Sequence, residues 1–308
     1  MSVVEATLYT DAACPWAYSA SPALRVLEWR YRDQLSWRLV MIGLREDASE
    51  LVARGYDTAR AAGRLGMFAE RYEMPFDLVP KERAAGTGLG CRAVVAARLL
   101  EPGSEWRVVR ALQLAQFTSE LLLDDPERIG DALRGVPGID ADGIVASLDA
   151  PEVVDAYERD REESRRAAGT AAEAQGKTST SDGPVRFTAP SLVFRRGEQT
   201  LVAGGWQPLA AYDVLLANLE PTLERTPAPP TPEPLFEFFA DGLTTAEVAL
   251  LLAEGPDSIA DLPTAERALR DLAATGAIVR LPLGQDALWQ PAGREEALEG
   301  ARTDAAVV

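Results

Sequence analysis

The stretch Glu5-Ala6-Thr7-Leu8-Tyr9-Thr10-Asp11-Ala12-Ala13-Cys14-Pro15-Trp16-Ala17-Tyr18-Ser19 decides the reading of the fold. From Glu5 to Thr10, Ala6, Leu8 and Thr10 alternate with Thr7 and Tyr9 over the length of a β-strand. A helical pattern follows and runs to about Gln34, with Leu24, Leu27 and Tyr31 at spacings of three and four marking its buried face. Pro15 suits a first turn, where a missing N–H costs nothing, whereas Pro22 falls inside the pattern and predicts a kink. A second strand spans Leu35 to Ile42, with Trp37, Leu39 and Met41 on one face. Strand, helix, strand is a βαβ unit, and that implies a parallel pair.

Outward from this unit, residues 46–164 read as helical, broken at Pro75, Pro80, Gly86–Gly90, Pro102-Gly103 and Gly135–Gly138. Residues 167–183 are small and polar and predict a mobile loop. Strand character returns at Ser191–Phe194 and Thr200–Ala203, joined by an Arg195-Arg196-Gly197-Glu198 turn, and a helix from Pro208 to Leu219 closes the first domain. Prolines at 221, 227, 229, 230, 232 and 234 predict a stiff linker. Beyond it, residues 235–292 are expected to fold separately. Thr244 and Glu247 form a capping box, with Leu243 stapled onto Val248; a second helix spans Pro263 to Ala274, and two short strands flank Gly284-Gln285-Asp286. Helix, helix, hairpin predicts a winged-helix-like module. Residues 293–308 are expected to be a disordered tail.

Composition closes off several functions. The 308 residues carry a net charge of −17, which repels phosphate and argues against nucleic acid as a partner. Residues 235–292 hold nine acidic and three basic side chains, so this module is no phosphate reader either; protein contact, including homodimer formation, suits it better. There is no histidine, which removes Ser-His-Asp and Cys-His catalysis, and two cysteines cannot build a zinc site. No apolar stretch is long enough to span a membrane, and no secretory signal is evident, so a cytoplasmic location is expected. The charged run from Arg159 to Arg166 reads as a solvated helix face.

What chemistry remains centres on Cys14, between a strand and a helix N-terminus. There the first-turn N–H groups and the helix dipole favour a thiolate, so its pKa is expected below the free value of about 8.5. The alternative is a small buried hydrophobe, the common state of free cysteine. Cys91 could serve as a resolving thiol if it lies near Cys14, but it opens an apolar helical run and reads better as packing. Tyr18 and Ser19 each offer a hydroxyl to thiolate or substrate, although Tyr18 reads equally well as packing.

Asp11-x-x-Cys14-Pro15-Trp16 in this setting resembles the DsbA-like branch of the thioredoxin superfamily, which includes cytosolic disulfide oxidoreductases, kappa-class glutathione transferases and 2-hydroxychromene-2-carboxylate isomerases. The resemblance covers residues 5 to about 220. Thr188-Ala189-Pro190-Ser191 matches the family's cis-proline loop, and implies that Pro190 is cis and that the Ala189 backbone pairs with a bound thiol or peptide. It implies an α/β fold: a thioredoxin-like domain from residues 1–45 and 184–220, with a helical domain and loop inserted at 46–183. The linker at 221–234 and the winged-helix-like module at 235–292 lie beyond it and rest on the proline run and the helix-helix-hairpin pattern. The resemblance also implies a site formed by catalytic Cys14 with Pro15, Trp16, Ala17, Tyr18, Ala189 and Pro190, with no metal. The departure is Ala17, which stands where the family's redox members carry a second cysteine. A monothiol site needs a second thiol to resolve its adducts. The implied activity is therefore a thiol-dependent oxidoreductase acting on a small-molecule or protein disulfide. Its co-substrate would be a low-molecular-weight thiol of the mycothiol or glutathione type, and no cofactor would be tightly bound. The alternatives are an isomerase or transferase that adds thiol to a small organic substrate, and an adaptor that kept the fold and lost the redox pair.

Overall fold

The computed structural model describes residues 3–181, 183–255 and 259–293. Strands β1 (Val4–Thr10) and β2 (Leu35–Met41) pair in parallel, with Leu8 opposite Leu39. The connection between them is helical: α1 (Pro15–Ser19) and α2 (Ser21–Tyr31), then a 3₁₀ turn at Arg32–Gln34. The expected kink is a full break. The helix pauses at Ala20, and Pro22 lies in the first turn of α2, where its missing N–H breaks no intrahelical hydrogen bond.

The inserted helices are α3 (Ser49–Ala53), α4 (Thr58–Tyr72), α5 (Gly88–Leu100), α6 (Glu105–Thr118), α7 (Pro126–Leu133), α8 (Ala141–Ala146) and α9 (Pro151–Ser164). Asp57, Asp125 and Asp140 cap α4, α7 and α8 by accepting first-turn N–H groups. The chain continues through α10 (Ala171–Ala174), β3 (Thr178–Ser179), β4 (Arg186–Phe187), β5 (Ser191–Arg196), β6 (Gln199–Ala203) and α11 (Leu209–Leu219). The main sheet has the order β2-β1-β5-β6, with β5 antiparallel to both neighbours. No helix among the described residues is long and apolar enough to cross a membrane.

Two expectations change here. The charged run on α9 is not simply a solvated face. Asp160 is buried, accepts the Met41 N–H at 2.9 Å and pairs with Arg98 at 2.7 Å. Arg98 also donates to the Leu39 carbonyl, so α5 and α9 together cover the open edge of β2. Residues 167–183 are not a free loop either. Ala167 and Ala172 are fully buried, and a Cβ on Gly204 would lie 2.8 Å from that of Ala172. Small residues there permit close packing over β6, although the same small residues look like a loop in sequence.

The C-terminal part holds α12 (Glu233–Phe238), β7 (Leu243–Thr244), α13 (Thr245–Leu252), α14 (Leu262–Ala274), β8 (Ile278–Leu283) and β9 (Asp286–Pro291), with the antiparallel sheet order β7-β9-β8. The Thr244–Glu247 capping box is formed. The sequence sets this region apart behind a stiff linker, but the structure packs it onto α2. Val26 and Trp29 share one apolar cluster with Leu235, Leu243, Val248 and Trp289. The proline-rich segment runs along α2, its Pro227 carbonyl accepting from Trp29 Nε1 at 2.8 Å and Thr226 N–H donating to the Arg30 carbonyl at 2.8 Å. Apart from Gly293, the tail expected at 293–308 lies outside the described residues.

Candidate functional site

Asp11 builds the turn that presents Cys14. It is fully buried, and its carboxylate accepts the N–H groups of Ala13 and Leu44, each at 2.8 Å, and the Thr87 hydroxyl at 3.1 Å. The Asp11 carbonyl takes the Cys14 N–H at 3.3 Å. A buried carboxyl group with this many donors fixes backbone geometry, because each donor lost leaves a buried acceptor less satisfied. Asp11 stands within the sequence motif, but nothing local to it signals this role. Thr87, far away in sequence, carried no signal.

Cys14 occupies the N-cap position of α1 in extended backbone geometry, followed by Pro15 in the first turn. Cys14 is 5% exposed, and its thiol donates to the Ala189 carbonyl at 3.2 Å. The Ala189–Pro190 peptide bond is cis. Cys14, Ala17 and Ala189 share an apolar cluster with Tyr9, Val40, Ile42, Phe187 and Val193. The structure therefore gathers Cys14, Ala17, Ala189 and buried Pro190 in one place.

Other members of the expected set lie elsewhere. Trp16 is 43% exposed and rests edge-on against Phe68 and Tyr72 of α4, with ring centroids 4.9 and 5.8 Å away. Tyr18 is not a ligand for the thiol. Its hydroxyl donates to the Pro75 carbonyl at 2.8 Å, and its ring stacks on Phe117 within a separate cluster. Ser19 is buried, and its hydroxyl has no hydrogen-bond partner among the described residues. Cys91 is fully buried in the main core, with its thiol 3.5 Å from the Asp11 carboxylate. Both cysteines are free.

The electrostatics reverse the expected pKa shift. Burial pushes the Cys14 thiol up to about 12, and the Asp11 carboxylate adds to the rise. The N–H groups of Ala17 and Trp16 and the Arg45 guanidinium pull it down, but not enough. Cys14 makes no full side-chain cap bond at the helix terminus, so these N–H groups offset burial only in part. The protonated thiol is the form that can donate to the Ala189 carbonyl. The helix position was legible in the sequence; the apolar wall from distant segments was not. Burial also pushes the Cys91 thiol well up, with Asp11 adding to the effect.

No family model and no curated protein matches the chain. Solved structures do match. A candidate protein disulfide isomerase from Nitrosomonas europaea is 16% identical with a TM-score of 0.53, the alignment covering 70% of this chain and 97% of that one. A probable DsbA oxidoreductase from Streptomyces coelicolor is 20% identical with a TM-score of 0.51, covering 73% of this chain and 92% of that one. These likenesses show the fold.

Proposed function

We propose that this chain, whose mixed α/β fold is of the DsbA-like thioredoxin type, is a thiol-dependent oxidoreductase working through the single reactive cysteine Cys14, with a low-molecular-weight thiol of the mycothiol or glutathione type as co-substrate. One observation carries this reading: Cys14 is the only cysteine at the helix N-terminus, its thiol on the Ala189 carbonyl beside Pro190, while Cys91 is held against Asp11 in the main core. Ala17 supplies no resolving thiol within the motif. The Cys14 thiolate attacks one sulfur of a disulfide, forming a mixed disulfide and releasing the other half as a thiolate. A second small thiol then attacks that mixed disulfide, leaves as the new disulfide and returns Cys14 to its reduced state. Ala189, released from the thiol, is free to pair with the backbone of the bound molecule. Substrate entry must also offset the apolar burial that keeps the thiol protonated.

Residues 235–292 fit a winged-helix-like module that contacts protein and not nucleic acid, supported by the α13–α14–hairpin order and the acidic composition. A cytoplasmic location suits the proposed thiol chemistry, since small thiols keep that compartment reducing. A second reading also has an observation behind it. The burial of Cys14 and its raised pKa favour an adaptor that has kept the fold without the chemistry. Thiol exchange with a small disulfide separates the two: the enzyme reading predicts activity in wild type and in Cys91→Ser but none in Cys14→Ser. Equal rates in wild type and Cys14→Ser would overturn it.

A further inference from the structure

Beside the Cys14 helix a groove of about 520 Å³ runs between the thioredoxin-like part and the C-terminal module. Ser19, Tyr72 and Trp206 line one side, and Ala246, Leu250 and Ala260 of the C-terminal module line the other. Ser19 ends α1, five residues after Cys14, or about 7.5 Å along a helix axis at about 1.5 Å per residue. Trp206 follows β6 next to Gly205, whose N–H donates to Ser191 Oγ; that hydroxyl donates to the Thr188 carbonyl, which ties the groove to the Ala189 loop. Tyr72 packs against both Trp16 and Trp206, with ring centroids 5.8 and 4.9 Å apart.

Two buried polar atoms here have no partner among the described residues: the Ser19 hydroxyl, on a side chain only 4% exposed, and the indole Nε1–H of Trp206. Buried donors normally find acceptors, and an indole N–H can only donate. Both belong to residues lining the same groove, where a bound acceptor would satisfy them. Arg71 and Glu73 stand at its end, one charge of each sign, so the groove does not select an anion. The volume is that of a small-molecule site.

We propose that this groove holds the body of the disulfide-bearing substrate: a small, uncharged molecule with an apolar ring and a hydrogen-bond acceptor. The C-terminal module is thereby part of the binding site. The substrate class rests on the thiol chemistry proposed above; the binding groove does not. Dipyridylethane, an unreactive carbon isostere of the disulfide probe dithiodipyridine, therefore tests the groove alone. It is expected to bind the full-length chain, and Ala260→Trp is expected to weaken binding by at least about tenfold, because the indole fills the ring's space. Ser19→Ala, which removes one donor without changing the groove's shape, is expected to weaken it severalfold. Equal binding by wild type and both variants, or no binding by wild type, overturns the proposal. Dithiodipyridine then tests the chemistry: the Cys14 thiolate displaces pyridine thiolate and forms the mixed disulfide, and Ala260→Trp slows this step. Binding of the isostere without reaction at Cys14 would refute the thiol enzyme and leave the groove standing.

Discussion

Replacing Glu247 by Gln should loosen the attachment of the C-terminal module, and the structure sets the size of the effect. Glu247 is fully buried and takes two hydrogen bonds from Arg110, at 2.6 and 2.8 Å. It also accepts the Thr244 N–H at 2.8 Å and the Ser21 hydroxyl of α2. Arg110 in turn donates to the Gly242 carbonyl at 2.9 Å and contacts Asp241 at 3.1 Å, and Asp241 pairs with Arg25 of α2 at 2.6 Å. Burial alone would raise the Glu247 pKa, but Arg110 and then Arg25 outweigh it and hold it at about 2. Losing the Glu247 carboxylate leaves Arg110 with Asp241 as its remaining acidic partner, and breaking a buried pair costs about 3–5 kcal/mol. The pH dependence has a definite sign. A lowered carboxylate pKa stabilises the folded state above the ordinary value near 4.5, and that contribution fades as pH falls toward 2. By pH 3 about 2 kcal/mol of the advantage of wild type over Glu247→Gln should be gone, at about 1.4 kcal/mol per pKa unit. Urea unfolding of both proteins between pH 7 and pH 3 measures this gap. A gap under about 1 kcal/mol at pH 7, or one that does not narrow with acid, refutes the argument. Glu247→Gln combined with Arg110→Met should recover part of the loss, because no charge is then left unpaired.

Cys14→Ala should make the protein less sensitive to alkali. A thiol pKa raised to about 12 favours the folded state below the free value, and that contribution is lost as pH climbs from there toward 12. Between pH 8.5 and 10.5 wild type should lose about 2 kcal/mol more than the variant, read by denaturant unfolding, and parallel curves would mean that the thiol is not desolvated. Ala17→Cys should place a second thiol in the same buried cluster and raise insulin reduction by about an order of magnitude through intramolecular resolution. No gain would mean that access to Cys14 limits the protein.

The stretch from Glu5 to Ser19 was legible because local rules govern it: strand alternation, a cysteine before proline, and a helix start all act within a few residues. The same held for the Thr244–Glu247 capping box and for the β5–β6 turn at Gly197, whose positive φ glycine allows. Interactions that act across the chain were not legible. Asp11 reads as an ordinary turn residue until Leu44 and Thr87 arrive to use its carboxylate. Tyr18 follows Ala17 directly, and its hydroxyl reads in sequence either as a donor to the thiol or as packing; the helix turns it toward Pro75 and Phe117, so packing holds. The acidic count of residues 235–292 carried no hint that Glu247 would face Arg110 of the helical insertion. Burial of Cys14 comes from β1, β2, the segment holding Ala167 and Ala172, and the Phe187–Ala189 loop, segments whose convergence only the fold determines.

The claim that matters most is that Cys14 alone does the chemistry. Intact and peptide mass analysis of the protein isolated without reductant, then exposed to a small disulfide, tests it directly. The account predicts a discrete thiol adduct on the peptide containing Cys14, removable by reductant, with Cys91 unmodified. An unmodified Cys14 in the folded protein, or a disulfide joining Cys14 to Cys91, would contradict it.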